Sequence, residues 1–147
     1  MPWPPVTRAS DLHTKQEHFR VVAGILVDPQ GRVLLAERVG DHSLAGLWEF
    51  PGGKIAAEES SATALERELA EEIGVRISDF RPCLELDYDY PDRRVSIEFF
   101  LVSAWQGEPQ GLEGQGLGWF LPGQIDPRQL LPANAPVLDW LQSNMGT

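Results

Sequence analysis

A single cysteine, Cys83, stands in a chain of 147 residues. No internal disulfide can staple the fold, so its stability has to come from a packed core. One thiol fits a reducing compartment, and a cytoplasmic protein is the expectation. Cys83 falls where a strand begins, the place of a small buried side chain rather than a reactive thiol. Histidine is also scarce, at three, so the chain offers little of the Cys and His chemistry that zinc favours. No apolar run approaches the roughly 18 residues that span a bilayer, and the opening MPWPPVTRAS has no basic-then-apolar signal pattern. Neither a membrane nor export is expected. Basic residues are outnumbered, 12 against 22 acidic, for a net charge of −10. That balance argues against a broad electrostatic grip on a nucleic acid polymer. A single nucleotide arriving with its metal remains compatible.

What is present describes one globular domain. The length suits one substantial core rather than two, and 42% hydrophobic with 23% charged residues is the composition of a folded soluble chain. Residues 1–17 are proline-rich and polar without a usable period, which predicts an extended amino-terminal arm, with His13 and His18 in or beside it exposed to solvent. The domain then runs over 18–147. Residues 19–27 (FRVVAGILV) read as an apolar strand, 28–31 as a turn and 32–37 as a second strand, together a hairpin. The near-continuous apolar character of the first strand implies burial on both faces. A loop over 40–46 leads to a short strand at 47–50. Pro51-Gly52-Gly53 is a tight turn whose missing Cβ atoms let backbone approach a ligand or metal. Residues 83–90 and 94–105 alternate around Pro91-Asp92 as an antiparallel hairpin. A glycine-rich loop over 106–118 carries Glu108 and Glu113, 119–121 form a short strand, and 137–145 form a closing helix with Val137, Leu138 and Leu141 buried. Strands interleaved with two helices predict an α/β (α+β) fold, a mixed central sheet sandwiched between helices.

The stretch 53–75, GKIAAEESSATALERELAEEIGV, concentrates the chemistry. A helix over 61–73 places Glu68 and Glu72 about 40° apart on one face, with Glu71 at its edge. Ala62, Leu65, Leu69 and Ile73 form a second stripe that docks on the core. Acids clustered on one helical face repel one another unless a cation sits among them. An all-oxygen donor set suits a hard divalent cation such as Mg²⁺, which takes a few carboxylates, waters and substrate phosphates. Arg67, four residues before Glu71, is placed to pair with it.

Gly53, Glu59, Arg67, Glu68, Leu69, Glu71, Glu72, Gly74 and Val75 satisfy every defined position of G-x5-E-x7-R-E-U-x-E-E-x-G-U, where U is a bulky aliphatic. The chain thereby resembles the Nudix hydrolases. Trp48-Glu49-Phe50-Pro51-Gly52-Gly53-Lys54-Ile55, Tyr90-Pro91-Asp92-Arg93, Gly107-Glu108-Pro109 and Pro132-Ala133-Asn134 extend the resemblance, within that superfamily, to its 8-oxo-dGTP diphosphatases. The resemblance covers nearly all of 20–142. It implies a Mg²⁺-dependent monomer, with Mn²⁺ as a substitute, that hydrolyses a small-molecule nucleoside triphosphate to monophosphate and pyrophosphate. It implies metal ligands at Glu68, Glu72, Glu113 and the Gly52 carbonyl, and catalytic parts for Arg67, Glu68, Glu71, Glu72 and Glu113. Either Glu113 or Glu68 would be the general base, with Glu59 in support. Arg38, Phe50, Arg93 and Asn134 would contact the nucleotide. From the residues alone, core packing is the safer reading of Phe50, and Asn134, just before Ala135-Pro136, serves equally as an N-cap of the last helix. Glu37 stands where the family has a second arginine, a local charge reversal.

Overall fold

The apolar run that opens the domain becomes the strand around which the fold assembles. In a computed structural model describing residues 17–40 and 44–145, β1 (Glu17–Leu26) has a neighbour on each edge. On one side it pairs antiparallel with β4 (Gly52–Lys54), from Val21↔Lys54 to Ala23↔Gly52. On the other it runs parallel to β6 (Arg93–Gln106), from Glu17↔Arg93 to Leu26↔Val102. β5 (Arg76–Tyr90) completes a mixed sheet in the order β4-β1-β6-β5. A second, antiparallel sheet joins β3 (Trp48–Glu49), β2 (Val33–Glu37) and β7 (Leu117–Phe120) in the order β3-β2-β7. The predicted arm lies outside the described residues except for Glu17, which opens β1; His13 is likewise outside. His18 is exposed, its Nε2 2.7 Å from Ser96 Oγ.

The expected first hairpin is corrected by this arrangement. Asp28 does turn the chain, its carboxylate accepting from the backbone N–H groups of Gln30 and Arg32 at 2.9 and 2.8 Å. Both edges of β1 are already taken, however, so β2 leaves after the single bridge Val27↔Val33 and pairs with β3 and β7 instead. β5 also starts earlier than the alternation suggested. Register shifts between Ile77 and Leu84 break its period, so the regular pattern shows only from Cys83 onward. The Cys83 thiol is half-buried and burial pushes it up to about 11, which makes it the inert packing group expected.

Strand alternation sends side chains of β1 to two cores. Val22 and Leu26 meet Leu65, Leu69 and Ile73 of helix α1 (Ser61–Ile73), while Ala23 and Ile25 join Val137, Leu138 and Leu141 of helix α2 (Pro136–Met145). These are the two helical layers of a mixed α+β fold. α1 begins where Ser60 Oγ accepts from Thr63 N at 3.1 Å and ends at Gly74 with φ 73°. Its buried stripe is Ala64, Leu65, Leu69 and Ile73. Ala64 therefore replaces the predicted Ala62, which is only half-buried.

The loop between β4 and α1 holds one strained residue. Glu58 has φ 66°, a left-handed conformation that costs an L-residue with a Cβ roughly 1–2 kcal/mol. Because Glu58 is exposed, Glu58→Gly should raise the melting temperature by about 2–4 °C, part of the relief being offset by the extra freedom of glycine when unfolded. Thermal unfolding by circular dichroism checks this, and a lower melting temperature would contradict the strain.

Candidate active site

β4 lies between β1 and α1 because it has almost no side chains. A Cβ on Gly52 would run into the Val22 backbone, and one on Gly53 would land on the Glu68 carboxylate. With both absent, the helix brings its acids against the strand, and Gly52 N donates to Glu72 Oε2 at 3.0 Å. The cavity that opens there has a volume of about 450 Å³. At one end it is lined by Gly52, Glu68, Glu72 and Glu113, and elsewhere by Arg38, Phe50, Arg93 and Asn134. Eight of the ten residues to which the resemblance gave a metal, catalytic or nucleotide contact thus surround one space, and Glu59, given a supporting part, lies outside it.

The other two do not line it. Arg67 does not chiefly pair with Glu71, from which its Nη1 lies 3.4 Å. It forks onto Glu59 instead, through Nε and Nη2 at 2.8 Å each, and reaches Glu68 Oε1 at 2.8 Å and Lys54 O at 3.1 Å. The i, i+4 spacing favoured Glu71, but the loop before the helix returns Glu59 to a bidentate position that a planar guanidinium fits better. Hydrogen bonds from Arg67 and then from Ala56 N–H hold the Glu59 carboxyl down at about 2, and its carboxylate in turn raises Arg67. The Glu71 side chain is 59% exposed.

Glu72 carries the strongest electrostatic signature of the cavity. Burial raises its carboxyl to about 8; the Gly52 N–H pulls the other way, and the carboxylates of Glu49, Glu113 and Glu68 push it further up. Glu49 is also raised by burial, with Arg38 opposing through Nη1 contacts of 3.2 and 3.4 Å. The wall is therefore crowded with acids, and its nearest arginines are each shared or already engaged, Arg67 between Glu59 and Glu68 and Arg38 with Glu49. This oxygen-only, under-neutralised set fits a hard divalent cation. Among the described residues, no three His, Cys, Asp or Glu side chains converge as a finished metal cage.

The opposite part of the cavity is apolar and cationic. Asn134 is 6% exposed, and its Oδ1 accepts from Phe50 N at 2.9 Å. It lies in a 3₁₀ turn, Pro132–Asn134, ahead of α2, and its side-chain oxygen serves Phe50 rather than capping the helix. Phe50 lines the cavity and also packs edge to face on Phe99 at 6.1 Å. Arg38 Nε is buried without a hydrogen-bond partner among the described residues. Lys54 Nζ lies 3.9 Å from the Phe19 ring centre, and the Arg93 guanidinium lies 5.4 Å from that of Tyr90. Sequence reasoning did not single out Glu49, Lys54, Tyr90 or Phe19. The first three stand inside stretches that carry the family resemblance, but Phe19 reads only as an apolar strand residue.

Comparison with known proteins places this geometry. The NUDIX domain pattern matches residues 17–141. The 8-oxo-dGTP diphosphatase of Escherichia coli K12 is 36% identical over 120 residues, covering 82% of this chain and 93% of that one. The CTP pyrophosphohydrolase of the same organism is 35% identical over 121 residues, covering 82% and 89%. A solved MutT structure, from work on the Aliivibrio salmonicida and Vibrio cholerae proteins, superposes with a TM-score of 0.73 at 35% identity, covering 86% and 98%.

The Glu72 shift fixes the sign of a pH effect. A carboxyl held at about 8 in the folded chain and near 4.5 otherwise keeps a proton on folding, so stability falls as pH rises through that window. In metal-free buffer at about pH 8, Glu72→Gln should melt about 2–4 °C above wild type, the gap closing toward pH 5. Mg²⁺ should raise the wild-type melting temperature more at about pH 8 than at pH 6, and do less for the variant. A variant that melts lower at pH 8, with wild type indifferent to Mg²⁺, would contradict the reading.

Proposed function

This chain belongs to the NUDIX family and is a nucleotide pyrophosphohydrolase, and from that premise we propose that it hydrolyses 8-oxo-dGTP to 8-oxo-dGMP and pyrophosphate, with Mg²⁺ as cofactor. In a cell this reaction removes an oxidised guanine nucleotide before it enters DNA. The observation that carries the proposal is one cavity of about 450 Å³ lined both by the carboxylates of Glu68, Glu72 and Glu113 and by Asn134 and Phe50.

Glu68, Glu72, Glu113 and the Gly52 carbonyl would hold the cation, which supplies charge neutralisation for the triphosphate and acidifies an attacking water. Arg67 and Glu59 hold the helix, loop and β4 together so that Glu68 stays against Gly53. Glu113, at the exposed mouth, or Glu68 takes the proton of the water as it attacks the β-phosphorus, and the nucleoside monophosphate departs. Arg38 and Arg93 give the phosphates and base edge their cationic partners, while Glu71 remains outside and acts through Arg67.

Base selection rests on Asn134. Its oxygen holds Phe50 in place and keeps a second lone pair, and its amide N–H groups are donors that a purine edge can use. Oxidation at C8 gives guanine an N7–H donor beside its O6 acceptor, a pair that a carboxamide can match. The CTP pyrophosphohydrolase at 35% identity supports a second reading, in which the same wall serves a pyrimidine nucleotide, since the motif sets the chemistry and not the base.

Steady-state kinetics on 8-oxo-dGTP, dGTP, CTP and dCTP separate the two. Preference for 8-oxo-dGTP by about 10²-fold or more in kcat/KM is expected, and Asn134→Ala should reduce that preference at least ~10-fold. The same variant should lose about 1–3 kcal/mol of stability by stranding Phe50 N–H. Equal kcat/KM for all four nucleotides would defeat the oxidised-guanine assignment, and preference for CTP would favour the second reading.

A further inference from the structure

Glu113 stands in a loop whose own backbone hydrogen bonds are short-range, Leu112 N to Gln110 O at 2.9 Å and Gly114 N to Gly111 O at 3.1 Å. The segment 107–116 contains Gly111, Gly114 and Gly116, and Gly114 takes φ 83°. No described protein group hydrogen-bonds the Glu113 carboxylate itself, so its place in the cavity depends on its backbone. That backbone is hung on the end of α1, where the last carbonyls of a helix lack partners within the helix. Gln110 N donates to Ile73 O at 3.0 Å and Leu112 N to Glu72 O at 3.2 Å.

One side chain links this anchor to Glu113. Gln115 Nε2 donates to Glu72 O at 3.1 Å, and Gln115 Oε1 accepts from Glu113 N at 2.8 Å. A single carboxamide thus bonds to the backbones of both Glu72 and Glu113, whose carboxylates share the cavity wall. The chemistry is specific to the residue type: the clamp needs a donor and an acceptor on one planar group. Asparagine has the same group on a shorter stem, and glutamate would lose the donor and add charge to an acidic wall.

We propose, on the reading above that Glu113 works in this cavity, that Gln115 is a positioning residue, a carboxamide clamp that fixes the Glu113 loop against the end of the helix bearing Glu68 and Glu72. The clamp contributes no atom to the reaction. Its effect is on how often Glu113 occupies its working place, so it acts on kcat rather than on nucleotide affinity.

The test uses the full chain and the nucleotide that wild type hydrolyses best. Gln115→Met keeps length and packing but removes both bonds, and Gln115→Ala serves as a second variant in case methionine packs badly. Amide hydrogen exchange needs no turnover: Gln115→Met should speed exchange at Glu113 at least ~10-fold and leave the amides of α1 unchanged. In kinetics, kcat should fall ~10-fold or more with KM within ~3-fold. In a Glu113→Ala background, Gln115→Met should cause no further loss, because a residue acting only through Glu113 has nothing left to position. Unchanged exchange at Glu113, unchanged kcat beside an inactive Glu113→Ala, or additive losses in the double variant would each overturn the clamp. Full turnover by Glu113→Ala would instead remove the role of Glu113, and the clamp's purpose with it, whatever exchange shows.

Discussion

The structure depends on one electrostatic imbalance, a glutamate desolvated among other glutamates. Glu72 is held by the Gly52 N–H, yet burial and the neighbouring Glu49, Glu68 and Glu113 leave it far above an ordinary carboxyl. Such an arrangement is unfavourable in isolation and becomes favourable when positive charge enters. On the function proposed above, a cation and its nucleotide would together meet the demand held at this wall of the cavity. The arginines nearby relieve it only in part, because Arg67 is divided between Glu59 and Glu68, and Arg38 meets Glu49 rather than Glu72.

The rest of the fold keeps those acids in place against their repulsion. β1 holds β4 on one edge, and the two glycines there admit the helix to closer range than any side chain would allow. Leu65, Leu69 and Ile73 bury the opposite face of α1 in the core, a gain of roughly 1.5–3 kcal/mol for each large aliphatic side chain. Gly74 closes the helix in a left-handed conformation, and the loop bearing Glu113 then hangs from the carbonyls just exposed. The family motif consequently separates into two jobs. Glu68 and Glu72 face the cavity, while Gly53, Glu59, Arg67, Leu69, Gly74 and Val75 hold the helix, its entry and its exit in register.

Much of this was legible in the sequence because it is encoded locally. The limits of α1 agree with the prediction, since a serine cap, an apolar stripe and a terminal glycine mark them within a few residues. Glu68 and Glu72 followed from motif spacing that a single stretch carries, whereas Arg38, Phe50, Gly52, Arg93, Glu113 and Asn134 came from the wider family resemblance. Pairing over long separations was less legible. The chain turns after β1 as expected, but nothing within residues 19–37 reveals that β4 and β6 will claim both edges of that strand. Likewise Arg67 and Glu71 have the right helical spacing, whereas the return of Glu59 depends on a loop conformation that includes a strained Glu58. Asn134 shows the same boundary. Its sequence neighbours suggested a helix cap, and its partner, Phe50, lies 84 residues away.

The central claim is that the acidic wall exists to receive a divalent cation, and proton release on binding tests it most directly. Titrating metal-free protein with Mg²⁺ at about pH 7, by calorimetry in buffers of different ionisation enthalpy, counts the protons displaced. With Glu72 raised to about 8, the account predicts saturable binding that expels close to one proton per cation, a release that Glu72→Gln abolishes. Binding with no proton released, or no binding at millimolar Mg²⁺ even in the presence of nucleotide, would contradict it.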